Sequence, residues 1–202
     1  MSAQVTRLHL IRRGTAAPIS RRGVALRTAR VDDAEAIHGL IVDNLQEGHL
    51  LPRELDEIIV RADRFVVAVH RQRVVACAEL APLSSSVAEI RSLVVSREAR
   101  NLGLSRRIVD ELIRRATLAG FTRLCAFTHS PAYFVHIGFS IVPHVWLPEK
   151  ILTDCHTCPQ FRRCGQYAVM YDLARQRDAC VPLAKLGATD ARPVAVRVER
   201  HG

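Results

Sequence analysis

Apolar and polar positions fall into clear periods from Val24 onward, and the longest coherent run spans 87–119. Its first part is rich in β-branched residues through Val94 and Val95, and a period of two places Glu89, Arg91, Leu93 and Val95 on one side of a strand. A short loop follows, carrying Arg100, Gly103 and Ser105. Leu104, Ile108, Val109, Leu112, Ile113 and Ala116 then recur at the spacing of a core-facing helix, with Arg106, Arg107, Asp110, Arg114 and Arg115 off the stripe.

The flanking segments are shorter. Val24, Leu26 and Thr28 alternate against Ala25, Arg27 and Ala29 as a strand, and Asp32 or Asp33 can cap a helix with the stripe Ala36, Ile37, Leu40, Ile41 and Leu45. Pro52 opens a second helix within 51–60. Strands are predicted at 65–70 and 74–80, joined tightly through Arg71, Gln72 and Arg73. Gly120 stops the long helix, and 121–128 reads as a strand. A short helix beginning at Ser130 and Pro131, then strands at 139–142 and 166–173, complete the order β-α-α-β-β-β-α-β-α-β-β.

Composition narrows the class. At 202 residues with 49% hydrophobic and 5% aromatic positions, the chain can bury a core of its own. It holds no apolar run of the roughly 18–20 residues that span a bilayer, and HLI at 9–11 gives way at 12–13 to two arginines, so no signal peptide and no membrane partner are expected. A cytoplasmic location is the default. The net charge of +9 resides at the ends: residues 1–30 hold seven arginines and no carboxylate, while 31–173 carry 16 positive against 17 negative charges. We therefore expect a flexible basic extension over 1–23, one domain over 24–173 and a flexible tail over 174–202, with no nucleic-acid partner. A homodimer is left open.

The junction at Gly103 has a chemical use. The first turn of a helix leaves N–H groups without intrahelical partners and favours negative charge, so a loop that brings the backbone close suits phosphate. Strand, Arg100-x-x-Gly103-x-Ser105 and helix together resemble the acetyl-coenzyme A motif of the GNAT N-acetyltransferase superfamily. The run from Tyr133 to Phe139, closing on Gly138-Phe139, is similar to that family's second motif. More narrowly, ACAEL at 76–80, AEIRSLVV at 88–95, LPEK at 147–150 and DCHTCPQFRRCGQ at 154–166 resemble stand-alone amino-acid N-acetyltransferases of the N-acetylglutamate synthase type.

The resemblance implies an α/β (α+β) architecture, the acyl-CoA N-acyltransferase (GNAT) fold, in which a bent mixed sheet is flanked by helices. It also implies acetyl transfer from acetyl-CoA to the α-amino group of L-glutamate or L-glutamine, the first step of arginine biosynthesis. Other readings are a different amine or a protein N-terminus as acceptor, or a coenzyme-binding regulatory protein without turnover. With 202 residues, no kinase-like regulatory domain is expected.

Such chemistry needs a base for the ammonium group, a polarised thioester and a proton for the thiolate. Glu89 is the base candidate, by its position beside the loop and by the resemblance, with Glu79 as the fallback. The resemblance points to Ser130 as the acid, because Phe134 stands where many family members have a tyrosine. Main-chain groups of Asn101, Leu102, Gly103, Leu104, Ser105 and Arg106, with the Arg100 and Arg106 side chains, are expected at the coenzyme phosphates. Val94 and Val95 are expected along its pantetheine arm. Guanidinium groups match carboxylates, which makes Arg27 and Arg91 acceptor ligands by strand position; the resemblance adds Lys150 and Gln166.

One signal stands apart. Cys155-x2-Cys158-x5-Cys164 has the donors for zinc, with His156 or Cys180 as a fourth ligand, or for a redox-sensitive pair. A lone CxxC lacks the second pair that a closed zinc site wants, so no metal is the leading expectation. Packing is the plainer role. Cys77 and Cys125, in predicted strands, read as small core residues.

Overall fold

The computed structural model describes residues 19–20, 23–45, 50–159 and 161–174. Nearly all of the extension and tail expected at the two ends, and Cys180, lie outside the described residues. Seven strands form one sheet in the order β1-β2-β3-β4-β5-β7-β6: β1 Val24–Thr28, β2 Phe65–His70, β3 Arg73–Pro82, β4 Val87–Val95, β5 Arg123–Thr128, β6 Ser140–Val142 and β7 Tyr167–Asp172. All neighbours are antiparallel except β4 and β5. The helices are α1 Ala34–Leu45, α2 Leu55–Val60, α3 Leu104–Leu118, α4 Pro131–His136 and α5 Pro148–Thr153.

The predicted periods sort the core onto the two faces of this sheet. On one face α3 buries Leu104, Ile108, Val109, Leu112 and Ala116 against Val66, Ala78, Ala88, Ile90 and Leu124. On the other, Ile37, Leu40 and Ile41 of α1 and Ile58 of α2 pack on Phe65, Val67, Cys77 and Val94. Burial removes apolar surface worth about 1.5–3 kcal/mol per large side chain, so the two layers fix which strands lie side by side. Cys77 and Cys125 are fully buried, and burial pushes the Cys77 thiol up to about 12. The turn after β2 places Arg71 at φ +47 and Gln72 at φ +65, the geometry of a two-residue hairpin whose twist matches that of its strands.

Three observations correct the expectations. In β4 the alternation is interrupted: Cys77 faces Val94 while Glu79 faces Arg91, so three steps on β4 answer two on β3, and Ser92 takes φ +50. This bulge turns Leu93 and Val95 toward the α3 layer and Val94 toward α1, so they no longer share the face of Glu89 and Arg91. The second helix begins at Leu55, three residues past Pro52, leaving Pro52 and Arg53 in the connection. And α5, absent from the predicted order, carries Lys150.

Candidate active site

Strands β4 and β5 pair only from Val87↔Arg123 to Ile90↔Ala126. Beyond that point the bulge at Ser92 carries β4 away, and the separating strands leave a gap in the middle of the sheet. Two cavities open there. One, of about 320 Å³, runs along Ser92, Leu93, Val94, Val95 and Arg100 on one side and Ala126, Phe127, Thr128 and Phe134 on the other. The second, of about 550 Å³, is walled by Arg53, Glu57, Glu89, Arg91, Lys150, Asp154 and Gln166, with Phe127, His144 and Phe161 among its apolar and aromatic members. They share Leu50, Ile90, Ser92 and Phe127, which makes them two arms of one cleft.

The smaller arm leads toward the N-terminus of α3. Gly103 is the N-cap residue at φ +71 and ψ 19, and Asn101 is also left-handed at φ +63. The first turn of α3 carries no acidic residue, and its first backbone bond runs from the Arg107 N–H to the Gly103 carbonyl at 3.2 Å. The amides of Leu104, Ser105 and Arg106 thus precede the first intrahelical partner, as an anion cradle requires. Arg100 braces the loop from behind: its Nη2 donates to Asn44 Oδ1 at 2.7 Å, and Asn44 is buried and donates to the Leu40 carbonyl. Arg106 points along the helix, where it pairs with Asp110 at 2.8 Å.

The larger arm is built around a charge lattice. Glu89 is 3% exposed. Its Oε1 accepts from Lys150 Nζ at 2.8 Å, and its Oε2 accepts from the same Nζ at 2.8 Å and from Arg91 Nε at 2.7 Å. Lys150 and Arg91 both also bind Asp154 Oδ2, the former at 2.7 Å. Burial raises the Asp154 carboxyl, but the Lys150 hydrogen bond and the charges of Lys150 and Arg91 outweigh it and hold the group below its usual value. A carboxylate offers about four acceptor positions. Among the described residues three of those on Glu89 are taken, which leaves one on Oε1 for a ligand in the cavity.

Arg53 is the residue that sequence reasoning missed. It forks onto Glu57 at 2.8 and 2.9 Å, reaches Glu79 at 2.8 Å and donates to Ser92 Oγ at 3.2 Å, its guanidinium 6.0 Å from the Phe65 ring centre. Its position just after Pro52 and before the acidic start of α2 was the available signal. Glu79 lies wholly buried behind it, outside the cavity wall.

Two expected site residues lie elsewhere. Arg27 is on β1, at the far edge of the sheet, and grips Asp33 with two bonds of 2.6 and 2.8 Å. Ser130 is the exposed N-cap residue of α4, makes no side-chain cap bond and lines neither cavity arm. Phe134 is buried and lines the smaller arm. Neighbouring Tyr133 turns instead toward Ser105, and burial pushes its phenol up despite that hydroxyl. The three thiols Cys155, Cys158 and Cys164 all line the larger arm, but among the described residues no three Cys, His, Asp or Glu side chains gather as metal ligands. No helix among the described residues is long and apolar enough to cross a membrane.

A mixed sheet split between two parallel strands, with a phosphate-type helix terminus at one end of the split, is the arrangement that the resemblance to acyl-CoA-dependent transferases implies. Residues 34–139 match the model of the acetyltransferase (GNAT) family, and the chain belongs to that family. It is 31% identical over 148 residues to an uncharacterized N-acetyltransferase of Chlorobaculum tepidum, covering 73% of this chain and 96% of that one. An amino-acid acetyltransferase of Shewanella oneidensis is 29% identical over 127 residues, 62% of this chain but only 28% of the relative. Among solved structures, N-acetylglutamate synthase of Neisseria gonorrhoeae, complexed with coenzyme A and N-acetyl-glutamate, superposes with a TM-score of 0.67 at 25% identity. That match covers 74% of this chain and 35% of the synthase, so the chain spans about a third of the amino-acid acetyltransferases it resembles.

Proposed function

We propose that this acetyltransferase moves the acetyl group of acetyl-CoA to the α-amino group of a free amino acid, glutamate or glutamine, as the first step of arginine synthesis. The observation that carries the reading is the placement of buried Glu89 on the wall of the larger arm, next in the chain to Ile90, which both arms share, with Arg91 and Lys150 on it and Gln166 on the same wall. The likeness to amino-acid acetyltransferases, over a minor part of their length, supports the acceptor class.

In this reading acetyl-CoA occupies the smaller arm, its pyrophosphate on the amides of 101–106 and its pantetheine along Val94 and Val95, where a strand N–H polarises the thioester oxygen. The acceptor sits in the larger arm, its carboxylate drawn to Arg53, Arg91 and Lys150 and its amine toward Oε1 of Glu89. Glu89 removes the ammonium proton directly or through water. The leaving thiolate, with a pKa of about 8.5, takes its proton from solvent, since Ser130 lines neither arm. Arg27 drops out of the acceptor set, since it lies on edge strand β1 and lines neither arm.

Initial rates of thiol release from acetyl-CoA against the twenty amino acids, polyamines and a peptide with a free N-terminus test this. Turnover confined to glutamate or glutamine is expected; turnover with the amines or the peptide alone replaces the acceptor. The coenzyme half has its own test. A Cβ on Gly103 meets no atom within 4 Å, so substitution there acts through backbone strain and not through a clash. Gly103→Val should raise the KM for acetyl-CoA about tenfold, because a β-branched residue resists φ +71 by about 1–2 kcal/mol and reshapes the loop. Gly103→Asn, which tolerates the left-handed region, should stay close to the parent. Equal KM values for all three proteins would reject the loop assignment.

A further inference from the structure

The proposed chemistry leaves the cysteines of the acceptor wall without a role, and their geometry supplies one. Cys155 and Cys158 bracket a single turn of 3-10 helix, Cys155–Thr157, closed by a hydrogen bond from the Cys158 N–H to the Cys155 carbonyl at 3.1 Å. A turn closed between residues i and i+3 holds their Cα atoms within about 7 Å, and a disulfide needs about 4.4–6.8 Å. Both thiols are reduced, half-buried and on the cavity wall. Cys155 directly follows Asp154, the residue that ties Lys150 and Arg91 together.

We propose that Cys155 and Cys158 are a reversible oxidation site in the wall of the acceptor cavity, whose closure to a disulfide displaces Asp154 and slows acetyl transfer. Drawing the two Cβ atoms to about 3.5–4.5 Å tightens the turn that begins at Asp154. Lys150 and Arg91 then lose a shared anchor, and the two cations that hold Glu89 lose their placement. The oxidant is a low-molecular-weight disulfide, RSSR. The Cys158 thiolate attacks one of its sulfurs, forming the mixed disulfide and releasing RS⁻; the Cys155 sulfur, after giving its proton to solvent, attacks Cys158 Sγ and releases the second RS⁻. Two protein thiols and one RSSR thereby yield one protein disulfide and two RSH. Burial raises the Cys155 thiol more than the Lys150 charge lowers it, so attack by Cys155 quickens with rising pH. Cys164 lies on the same wall but is exposed and separated from Cys158 by a further turn, Phe161–Arg163, which makes it the competing partner.

The effect on rate rests on the proposed acetyl transfer; the disulfide itself does not. The test incubates the full-length reduced protein with oxidised glutathione, caps remaining thiols with N-ethylmaleimide, maps the linked peptides and measures kinetics before and after dithiothreitol. A Cys155–Cys158 link is expected, with kcat/KM for the acceptor lowered about tenfold, the KM for acetyl-CoA unchanged and full recovery on reduction. Each variant is referred to its own reduced form: Cys158→Ser should lose the response and Cys164→Ser should keep it. No link, a link through Cys164 or Cys180, or a Cys155–Cys158 link that leaves the acceptor kinetics unaltered overturns the proposal. If no acceptor is turned over at all, the peptide map on the unmutated protein still decides whether the site exists, and the failure then lies with the acetyl-transfer reading.

Discussion

Glu89→Gln is expected to lower kcat for acetyl transfer at least about tenfold, and by roughly 10²–10⁴ where the carboxylate alone removes the amine proton. The substitution is close to isosteric and keeps an oxygen for Lys150 or Arg91, so the cavity retains its shape. What disappears is the negative charge and the basic lone pair on Oε1. Lys150 and Arg91 keep Asp154 as a shared partner, which limits the structural cost of uncovering two cations. The KM for acetyl-CoA should hold, because among the described residues the coenzyme arm meets the larger arm through Leu50, Ile90, Ser92 and Phe127, and Glu89 does not line it. The pH–rate profile separates a base from a mere anchor: losing a base changes its shape, whereas losing an anchor scales it. An unchanged kcat together with an unchanged profile removes Glu89 from the mechanism. Loss of kcat with an intact profile would make it a positioning residue for Lys150.

These expectations depend on how far sequence reasoning reaches. Periodicity located α3 and its buried stripe because fifteen residues carry four turns of a repeating signal. It located β4 and Glu89 for a related reason, since a half-buried strand announces itself through alternation. The same alternation failed at Ser92. A bulge there needs no glycine or proline, and the inserted step shows only in pairing with β3, a long-range fact. Arg27 failed similarly: its strand was identified, but a strand's rank in the sheet is set by tertiary pairing, and β1 proved to be the edge farthest from the split. Lys150 entered through resemblance and not through pattern, because six residues of α5 between a proline and a cysteine-rich turn give too short a period to read. Arg53 escaped because Pro52 invites a helix start that the chain delays to Leu55, and that delay frees Arg53 to turn into the cleft.

Arg53 also carries the largest expected effect on stability. Glu79 is wholly buried, and among the described residues neither of its oxygens has a well-aligned hydrogen bond, so its charge is met chiefly by Arg53 Nη2 at 2.8 Å. Removing one member of a buried pair strands the other, at a cost of about 3–5 kcal/mol. Arg91, opposite Glu79 in the β3–β4 ladder, recovers part of this, which favours the lower end of the range. Arg53→Leu should therefore lower the midpoint of urea unfolding with little change in slope and reduce Tm by roughly 10 °C. The deficit comes from an orphaned charge and not from lost packing, so it has a specific remedy. Arg53→Leu/Glu79→Leu removes both charges from the buried layer and should regain most of the stability, as buried pairs replaced by apolar residues commonly do. Acceptor binding should not return with it, because the cavity has lost a cation in both proteins, and the KM for the acceptor should stay raised in each. A double variant no more stable than the single one would mean that Arg53 acts through Glu57, its partner at the start of α2, and would transfer the stabilising role from the sheet to the helix.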